Sequence, residues 1–502
     1  MSRRRWLWIT SLCFVGLAAL LGRLFVVSVW PAGGHQLTFV RPAIAMDAEH
    51  FHVIQTDDGR GRILFRNGQP WSGTTRRAHL EAPDGSGIDW SIHQERAAER
   101  PDAVVGLVGL PDRWSDVQRS VPVQGRSGLE YRFDCFLSTG KPGFLAWLVD
   151  ARGRAQRGWY ERPGNSGLNL RTTVDAAWQT TADAILDQMG SPRAALVVVD
   201  VQTRDILAMA SRDVHHPWLN HAVRPETPGS IFKLITAAAA LESFRFQANS
   251  RFFCAGVVPL AGVKMHCWRR HGPETFTEAL AESCDVAFAL IGAAVGRTGV
   301  QRMAEQLGIR QTGLQTFRGR PVLPEAIRGQ VFVRSGDDAG LLANTAIGQE
   351  DVRMSPLQAA NLAATIGAGG VYRDARLAID LETPDGVRTE FPMHPAVRSM
   401  SPGTAYVLRQ AMRQAVENPA GTAHVLHDAA EPLAVKTGTA ELPHAGRVNA
   451  WVVGLLPADR PRVAFAVAVL NAPETAAHRQ VFTAVRKLAH WYRQFHGVCG
   501  IR

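Results

Sequence analysis

The sequence predicts a large α/β domain that follows a smaller β-rich region. Three observations support this prediction. Apolar strand-like runs stand near both ends of region 168–502, with helical segments between them. Region 31–167 is polar and turn-rich and has only short strand-like runs. The composition, 46% hydrophobic and 20% charged, is that of a globular protein, and 502 residues allow more than one domain.

The amino end predicts a membrane anchor. Arg3, Arg4 and Arg5 precede an apolar run, 6–30, that only Arg23 interrupts. Such a run can span a hydrocarbon layer of about 30 Å, and positive residues favour the cytoplasmic side. We therefore expect a cytoplasmic tail (1–5), a single-pass anchor in the cytoplasmic (inner) membrane (6–30), and an extracytoplasmic or periplasmic remainder. A cleaved signal peptide is the alternative, but "VVSVWPAGG" offers no clear small-x-small cleavage site.

The elements follow in chain order. Region 31–167, with "AVVGLVGL" and "FLAWLV", predicts a small β-rich membrane-proximal domain. "TVDAAWQTTADAILDQM" has helical spacing, and "AALVVVDVQTRDILAMAS" predicts two strands. Residues 355–366 predict a helix, because Ser355, Pro356 and Gln358 supply a cap, a first-turn proline and a capping-box partner. "AVKTGTAE" and "NAWVVGLLPADRPRVAFAVAVLN" predict terminal strands that pair with the early hairpin.

The charge pattern argues against a nucleic-acid partner. The net charge of +10 comes from arginines spread along the chain. Proteins that bind nucleic acid more often carry Lys/Arg-rich blocks or alternating basic and aromatic residues. Attraction to an anionic membrane or cell wall is a weaker possibility. We also expect no cofactor.

The stretch "TPGSIFKLITAAAALE" places Ser230 three residues before Lys233 at the start of a helical pattern. Only five of the 55 Lys and Arg residues are lysine, which favours a role that permanently protonated arginine cannot fill. Positions i and i+3 share a helix face, so Lys233 can serve as base for Ser230. The alternative is an N-capping serine with a surface lysine. "STGK" has the same spacing, but Pro142 follows it and predicts a turn.

Two later stretches strengthen the catalytic interpretation. "ESCDVAF" places the hydroxyl of Ser283 and the carboxylate of Asp285 near the start of another helical stretch. "VKTGTAE" predicts an edge strand that carries Lys436, Thr437, Gly438 and Thr439. Two of the five lysines thus fall in candidate motifs. In this order, S-x-x-K, S-x-N-like and K-T-G are the motifs of penicillin-binding proteins and serine β-lactamases.

With these motifs the chain resembles a class B penicillin-binding protein, a peptidoglycan D,D-transpeptidase. Most of the chain shares the resemblance, including "RGRILFRNG", with Phe65 where aspartate is usual, and "CWRRHG" and "AIGQEDVRMSPLQAANLAATIGAGG". The resemblance implies the penicillin-binding transpeptidase fold over 168–502, with a central antiparallel sheet flanked by helices. It also implies a membrane-proximal pedestal over 31–167.

The resemblance implies a role for each motif residue. Ser230 would attack the carbonyl of the penultimate D-Ala of a stem peptide, Lys233 would take its proton, and Ser283 would relay protons to the leaving group. The substrate would be held by Lys436, Thr437, Gly438 and Thr439. Backbone N–H groups of Ser230 and Thr439 would form the oxyanion hole. The implied partners are stem peptides, β-lactams, the membrane and a membrane glycosyltransferase.

Asp285 departs from the family, which has asparagine at this position. An ionised aspartate offers only acceptors, whereas asparagine also donates a hydrogen bond. A carboxylate close to Lys233 favours the ammonium form and opposes its use as a base, while burial or the charge of Lys436 acts the other way. The alternative is that the aspartate is simply tolerated.

Two cysteines, Cys254 and Cys267, bracket the loop "CAGVVPLAGVKMHC" and could form a disulfide in an oxidising compartment. His266 and His271 are close in sequence, so a zinc site is conceivable. The spacing fits no standard zinc pattern, and we therefore predict no metal.

Two other functions remain open. The same site could hydrolyse its acyl-enzyme, as in a D,D-carboxypeptidase or a β-lactamase, although the anchor and linker region argue against a β-lactamase. A non-catalytic cell-wall scaffold would use the fold only to bind partners. Asp285 mildly favours the scaffold, whereas the retention of Lys233 and Lys436 in an arginine-rich chain argues against it.

Overall fold

The computed structural model describes residues 51–71, 103–105, 108–109, 124–149, 155–260, 262–334, 338–443 and 446–498. The expected cytoplasmic tail and membrane anchor, 1–30, lie outside these residues. Among the helices of the described residues, none has the length and apolar character that crossing a membrane requires.

The strands, in chain order, are β1 (Phe51–Asp57), β2 (Ile63–Leu64), β3 (Val108–Gly109), β4 (Gln124–Gly125), β5 (Gly143–Val149), β6 (Ala155–Arg162), β7 (Asn169–Thr172), β8 (Arg193–Asp200), β9 (Ile206–Asp213), β10 (Arg251–Cys254), β11 (Val257–Leu260), β12 (Val263–His266), β13 (Gly272–Thr275), β14 (Thr316–Phe317), β15 (Arg320–Pro321), β16 (Gln330–Val331), β17 (Val352–Arg353), β18 (Val371–Tyr372), β19 (Ala378–Glu382), β20 (Arg388–Glu390), β21 (Val397–Arg398), β22 (Ala434–Glu441), β23 (Arg447–Leu456) and β24 (Val463–Pro473).

The α-helices are α1 (Gly128–Arg132), α2 (Asp134–Leu137), α3 (Ala176–Met189), α4 (Lys233–Glu242), α5 (Phe276–Ala281), α6 (Asp285–Gln306), α7 (Ala339–Ala346), α8 (Pro356–Gly367), α9 (Pro402–Glu417) and α10 (Glu474–Val498). Short 3₁₀ turns occur at His221–Val223, Gly229–Phe232 and His424–Leu426.

The described residues divide into two compact units, one within 51–54 and 144–162 and the other within 55–143 and 163–498. In the smaller unit, β5 and β6 pair antiparallel. In the larger unit, β2 pairs with β7, and the sheet continues through β19 to β20. β2 precedes residue 168 in the chain and shares this sheet with β7 and β19, which follow that residue.

The large unit is built around a five-stranded antiparallel sheet in the order β22-β23-β24-β8-β9. The pairing of β24 with β8 confirms that the terminal strands join the early hairpin. The sheet is covered on both faces, as the alternation along β8 shows. One hydrophobic core contains its residues Ala195, Val197 and Val199, and the other contains Ala194, Leu196 and Val198.

Helices cover the two faces of this sheet. The first core includes residues of α4 and α8, and the second includes Val481, Val485 and Leu488 of α10. The predicted capping box is confirmed, since Ser355 and Gln358 exchange side-chain and backbone hydrogen bonds at the start of α8. Because β22 lies at the edge of the sheet, one side of the K-T-G strand remains free for other contacts.

Candidate active site

The predicted nucleophile Ser230 lies in the 3₁₀ turn Gly229–Phe232, and Lys233 is the first residue of α4. Side chains three residues apart eclipse in 3₁₀ geometry, so Ser230 and Lys233 share a face. Gly229 has a φ of +55°, and a Cβ atom there would lie 2.2 Å from the carbonyl oxygen of Thr439. The turn therefore approaches β22 more closely than a residue with a side chain would allow.

Lys233 is fully buried and contacts the second motif. Its Nζ donates to the carbonyl oxygen of Ser283 at 2.7 Å and to the Ser283 hydroxyl at 3.2 Å. It also forms an ion pair with Asp285, with 2.7 Å between Nζ and Oδ1. Three acceptors thus surround the nitrogen, which is the number that an ammonium group can satisfy.

Ser283 joins the two motif lysines. Its Oγ accepts a hydrogen bond from Lys436 Nζ at 2.9 Å in addition to the one from Lys233. The residue has a φ of +59°, a left-handed conformation that is uncommon without glycine. The pKa of Lys436 is lowered well below its ordinary value, first by complete burial and then by the charge of Lys233. The hydroxyl of Ser283 therefore connects two lysines in different electrostatic environments.

The K-T-G strand packs directly behind the nucleophile. A Cβ atom on Gly438 would lie 2.5 Å from the carbonyl oxygen of Pro228, so glycine is required for this close approach. Thr437 Oγ1 donates to Thr422 Oγ1 at 2.8 Å. Thr439 Oγ1 lies 3.3 Å from His478 Nε2.

Sequence reasoning did not single out three polar neighbours of this strand. Thr422 contacts Thr437, His478 contacts Thr439, and Gln349 Nε2 donates to the Thr439 carbonyl at 3.1 Å. The stretch "AIGQE", which resembles the family, contains Gln349 and could have pointed to it as a site residue. In the structure, Gly348 of this stretch lies against the nucleophile turn. A Cβ atom on Gly348 would be 1.9 Å from the carbonyl oxygen of Gly229. Thr422 and His478 have no comparable local motif.

The three motifs thus meet at Ser283. The predicted contact between the Ser230 hydroxyl and the Lys233 amine is not among the hydrogen bonds of the described residues. The Ser230 hydroxyl makes no hydrogen bond with another residue of the described ranges, and the Lys233 amine is directed to the second motif. Ser138, the serine of "STGK", follows α2 and donates to the carbonyl of Asp134 at 2.6 Å. The prediction that "STGK" forms a turn is confirmed.

The cysteine prediction needs correction. Cys254 and Cys267 are free thiols and form no disulfide. The Cys267 sulfur instead lies 4.0 Å from that of Cys284, and hydrogen bonding between the two lowers the pKa of Cys267 to about 5. Cys254, Cys267, Cys284 and His271 offer four ligand atoms that all lie within 4.8 Å of one another. Sequence spacing could not reveal this group because Cys284 belongs to the second catalytic motif.

The fold and the site define a class of proteins in which the lysine of an S-x-x-K motif and the lysine of a K-T-G edge strand contact one serine hydroxyl between them. The chain belongs to the penicillin-binding protein transpeptidase family, since the family model described as penicillin binding protein transpeptidase domain matches residues 194–487.

Curated relatives agree with this assignment. Stage V sporulation protein D of Bacillus subtilis is 29% identical over 378 residues, which cover 69% of this chain and 57% of that protein. Peptidoglycan D,D-transpeptidase PbpA of Mycobacterium tuberculosis is 28% identical over 350 residues, 61% of this chain and 68% of the relative. The chain therefore spans little more than half the length of the sporulation protein.

Among solved structures, penicillin binding protein 3 of Mycobacterium tuberculosis complexed with aztreonam has a TM-score of 0.67 at 24% identity. The similarity covers 89% of this chain and 98% of that one. At this identity the comparison supports the fold alone.

Proposed function

We propose that this chain is a serine-type peptidoglycan D,D-transpeptidase, which cross-links stem peptides through an acyl-enzyme and is inhibited by β-lactams. The observation that carries this proposal is the convergence of two buried lysines on one hydroxyl. Lys233 Nζ lies 3.2 Å and Lys436 Nζ 2.9 Å from Ser283 Oγ. Such an arrangement can move a proton between the nucleophile side and the leaving-group side of a substrate.

In the proposed acylation, Ser230 Oγ attacks the carbonyl carbon of the penultimate D-Ala while Lys233 takes the hydroxyl proton. Lys233 must be neutral to act as this base, and the Ser283 hydroxyl, which contacts both amines, offers a proton route to Lys436, whose pKa is lowered by burial. The terminal D-Ala leaves as the free amine after a proton returns to its nitrogen through Ser283. An amine of a neighbouring stem peptide then attacks the ester carbonyl, the acyl C–O bond to Ser230 breaks, and the proton that the amine loses returns to Ser230 Oγ through Lys233.

The proposed substrate site lies along β22. Lys436, Thr437 and Thr439 would hold the terminal carboxylate of the stem peptide, and Gly438 would let the nucleophile turn approach. The backbone N–H groups of Ser230 and Thr439 would stabilise the oxyanion. The close packing of Gly229 on Thr439 supports this pairing, because it brings the two segments together without an intervening side chain.

The proposal for the cellular setting comes from the sequence. Residues 6–30 would anchor the protein in the inner membrane, with residues 31–167 as a membrane-proximal domain and 168–502 as the transpeptidase domain outside. A membrane glycosyltransferase that supplies glycan strands would be the natural partner. A D,D-carboxypeptidase, β-lactamase or scaffold function remains the alternative.

The test is to label the full chain with a fluorescent penicillin beside two serine variants. We expect the unmutated chain and the matched control Ser138→Ala, from the "STGK" turn, to be labelled. We expect no labelling of Ser230→Ala. Equal labelling of Ser230→Ala would exclude Ser230 as nucleophile. An unlabelled but folded unmutated chain would favour the scaffold.

A second assay separates transfer from hydrolysis. The enzyme is given a peptide ending in D-Ala-D-Ala together with an amine acceptor, and both free D-Ala and the cross-linked product are measured. A transpeptidase forms the cross-linked product in proportion to the acceptor. Release of D-Ala without product would indicate a carboxypeptidase, and steady nitrocefin turnover would indicate a β-lactamase.

A further inference from the structure

The cysteine-rich hairpin beside the second motif has the donor set of a metal centre. Its four candidate ligands come from separate segments: Cys254 ends β10, Cys267 follows β12, His271 precedes β13, and Cys284 precedes α6. The sulfurs of Cys267 and Cys284 are 4.0 Å apart, and Cys267 Sγ is 3.6 Å from His271 Nδ1. In a tetrahedral zinc site with Zn–S bonds of about 2.3 Å, neighbouring sulfurs are about 3.8 Å apart.

The sulfurs also occupy an unusual place at the start of α6. Cys284 Sγ accepts from the N–H of Ala287 at 3.4 Å, and Cys267 Sγ accepts from the N–H of Asp285 at 3.2 Å. Elsewhere in the described α-helices, side-chain caps are oxygens, those of Asp175, Thr275, Asp338, Ser355 and Ser401. Helix N–H groups and the helix dipole favour a negative group, so they would stabilise thiolates here.

The unpartnered ring nitrogen of His271 is a second observation that points to a ligand. The Nε2 atom of His271 is buried and has no hydrogen-bond partner among the described residues. A buried ring nitrogen without a partner is unfavourable, and a metal ion is a partner that a neutral imidazole accepts.

We propose that Cys254, Cys267, His271 and Cys284 bind one zinc ion as a Cys₃His site. Three sulfurs and one imidazole are a soft tetrahedral donor set, which suits zinc better than magnesium or calcium. Binding releases the remaining thiol protons to solvent. Four protein ligands leave no open position, so the ion is structural and activates no water.

The site positions catalytic residues because Cys284 lies between Ser283 and Asp285. A bond from Cys284 to zinc would fix the backbone on both sides, including the left-handed conformation of Ser283. It would thereby hold the Ser283 hydroxyl between the amines of Lys233 and Lys436. This consequence rests on the proposed transpeptidase function, whereas zinc binding itself does not.

The first test is the metal content of the full chain, purified in detergent without chelator and measured by mass spectrometry. We expect about one zinc per chain. The exposed Cys135 lies outside the cluster, so Cys135→Ser is the matched control and should keep the zinc. Cys254→Ser and Cys284→Ala should retain less than about 0.2 zinc per chain.

A second measurement uses the unmutated chain and does not depend on the folding of variants. Removing zinc with a chelator should lower the melting temperature, and adding zinc should restore it. Cobalt(II) in its place should give the near-ultraviolet absorption of cobalt–thiolate bonds. The proposal is overturned if the unmutated chain binds no zinc even when zinc is added. It is equally overturned if folded Cys254→Ser keeps the ion, or if non-reduced peptides contain a Cys267–Cys284 disulfide.

Penicillin labelling then tests the positional role. We expect the acylation rate to fall about 100-fold on zinc removal and to recover on zinc addition, as for a misplacement of about 1 Å. An unchanged rate would overturn the positional role. Zinc-loaded protein that is never labelled would disprove the proposed function and leave the metal site standing. Rapid labelling of a chain that binds no zinc would disprove the metal site and support the proposed function.

Discussion

The two sides of the active site are held in place by different means. On the nucleophile side, glycines let backbone touch backbone: Gly229 lies against Thr439, Gly438 against Pro228, and Gly348 against Gly229. On the second-motif side, the turn of Ser283 and Asp285 is held by side chains. These are Lys233, Lys436 and the sulfurs of Cys267 and Cys284.

The difference predicts how each side responds to substitution. Backbone atoms cannot move aside by a change of rotamer as a side chain can. An added Cβ atom at such a contact must therefore shift a strand or a turn. A side-chain contact can be exchanged for another of similar shape, and its effect then depends on charge and hydrogen bonding. We therefore expect the largest effects on the glycine-packed side and graded effects on the other.

The largest effect is expected for Gly229→Ala. A Cβ atom would lie 2.2 Å from the Thr439 carbonyl oxygen, and the φ of +55° already disfavours alanine. Displacing Ser230 by about 1 Å should lower the rate of penicillin acylation about 100-fold or more. The measurement is stopped-flow or gel-based labelling of folded protein.

Gly190→Ala provides the matched control for this prediction. Gly190 also has a positive φ, +66°, but a Cβ atom there would have no neighbour within 4 Å. Its cost should be limited to about 1 kcal/mol of stability, without a change in acylation rate. Equal rates for both variants would show that backbone contact does not position the nucleophile.

The second prediction concerns Asp285→Asn on the side-chain side. Asp285 Oδ1 lies 2.7 Å from Lys233 Nζ, and an asparagine amide would keep the shape of the side chain while removing its charge. We expect penicillin acylation to be kept or to rise by up to about tenfold. Asp285→Ala, which removes both charge and acceptor, is the comparison. A large fall in Asp285→Asn would show that the carboxylate has a role of its own.

Much of the nucleophile side could be predicted from sequence because its determinants are local. The S-x-x-K spacing, the proline-glycine entry and the K-T-G edge strand are each written in consecutive residues. The pairing of the terminal strands with β8 followed from element order. The sequence could not show that Lys233 contacts Asp285 directly, since 52 positions separate the two residues.

The cysteine cluster could not be predicted for the same reason. Cys254 and Cys267 bracket a loop, which suggested a disulfide, but nested hairpins bring them to His271 and to the start of α6. A sequence pattern for metal sites assumes ligands in closely spaced pairs. Here the fourth ligand is hidden inside a catalytic motif, where Cys284 was simply the middle residue.

A smaller effect is expected for Gln349→Ala. Its side-chain N–H donates to the Thr439 carbonyl at 3.1 Å, the same oxygen that Gly229 approaches. Losing one neutral hydrogen bond should lower the acylation rate about three- to tenfold, because the strand keeps its backbone contacts. Gln301→Ala, which removes an exposed contact with Glu305, should leave the rate unchanged. If the acylation rate of Gln349→Ala fell as much as that of Gly229→Ala, backbone packing would not be the main means of positioning the nucleophile.

The smallest effect concerns His478, the titratable side chain that contacts the end of the K-T-G strand. Its Nε2 lies 3.3 Å from Thr439 Oγ1, and Glu474 lies 3.9 Å away on the same helix. Burial lowers the pKa of His478, while Glu474 raises it in part. Because the folded protein binds the proton less readily than the unfolded chain, stability should be present above the ordinary histidine pKa of about 6.5 and fall as the pH drops below it.

His478→Gln tests this without removing the polar contact. The variant should match the unmutated chain at pH 7.5 and lose less melting temperature on acidification to pH 5.5, with a difference of about 1 °C. The difference is small because the imidazole is 35% exposed and water screens its charge. Parallel pH curves for the two proteins would contradict the burial of His478. A fall in the acylation rate at pH 5.5, under conditions where the protein stays folded, would mean that the Thr439 hydroxyl depends on a neutral imidazole. The nucleophile side would then rely on one side chain as well as on backbone packing.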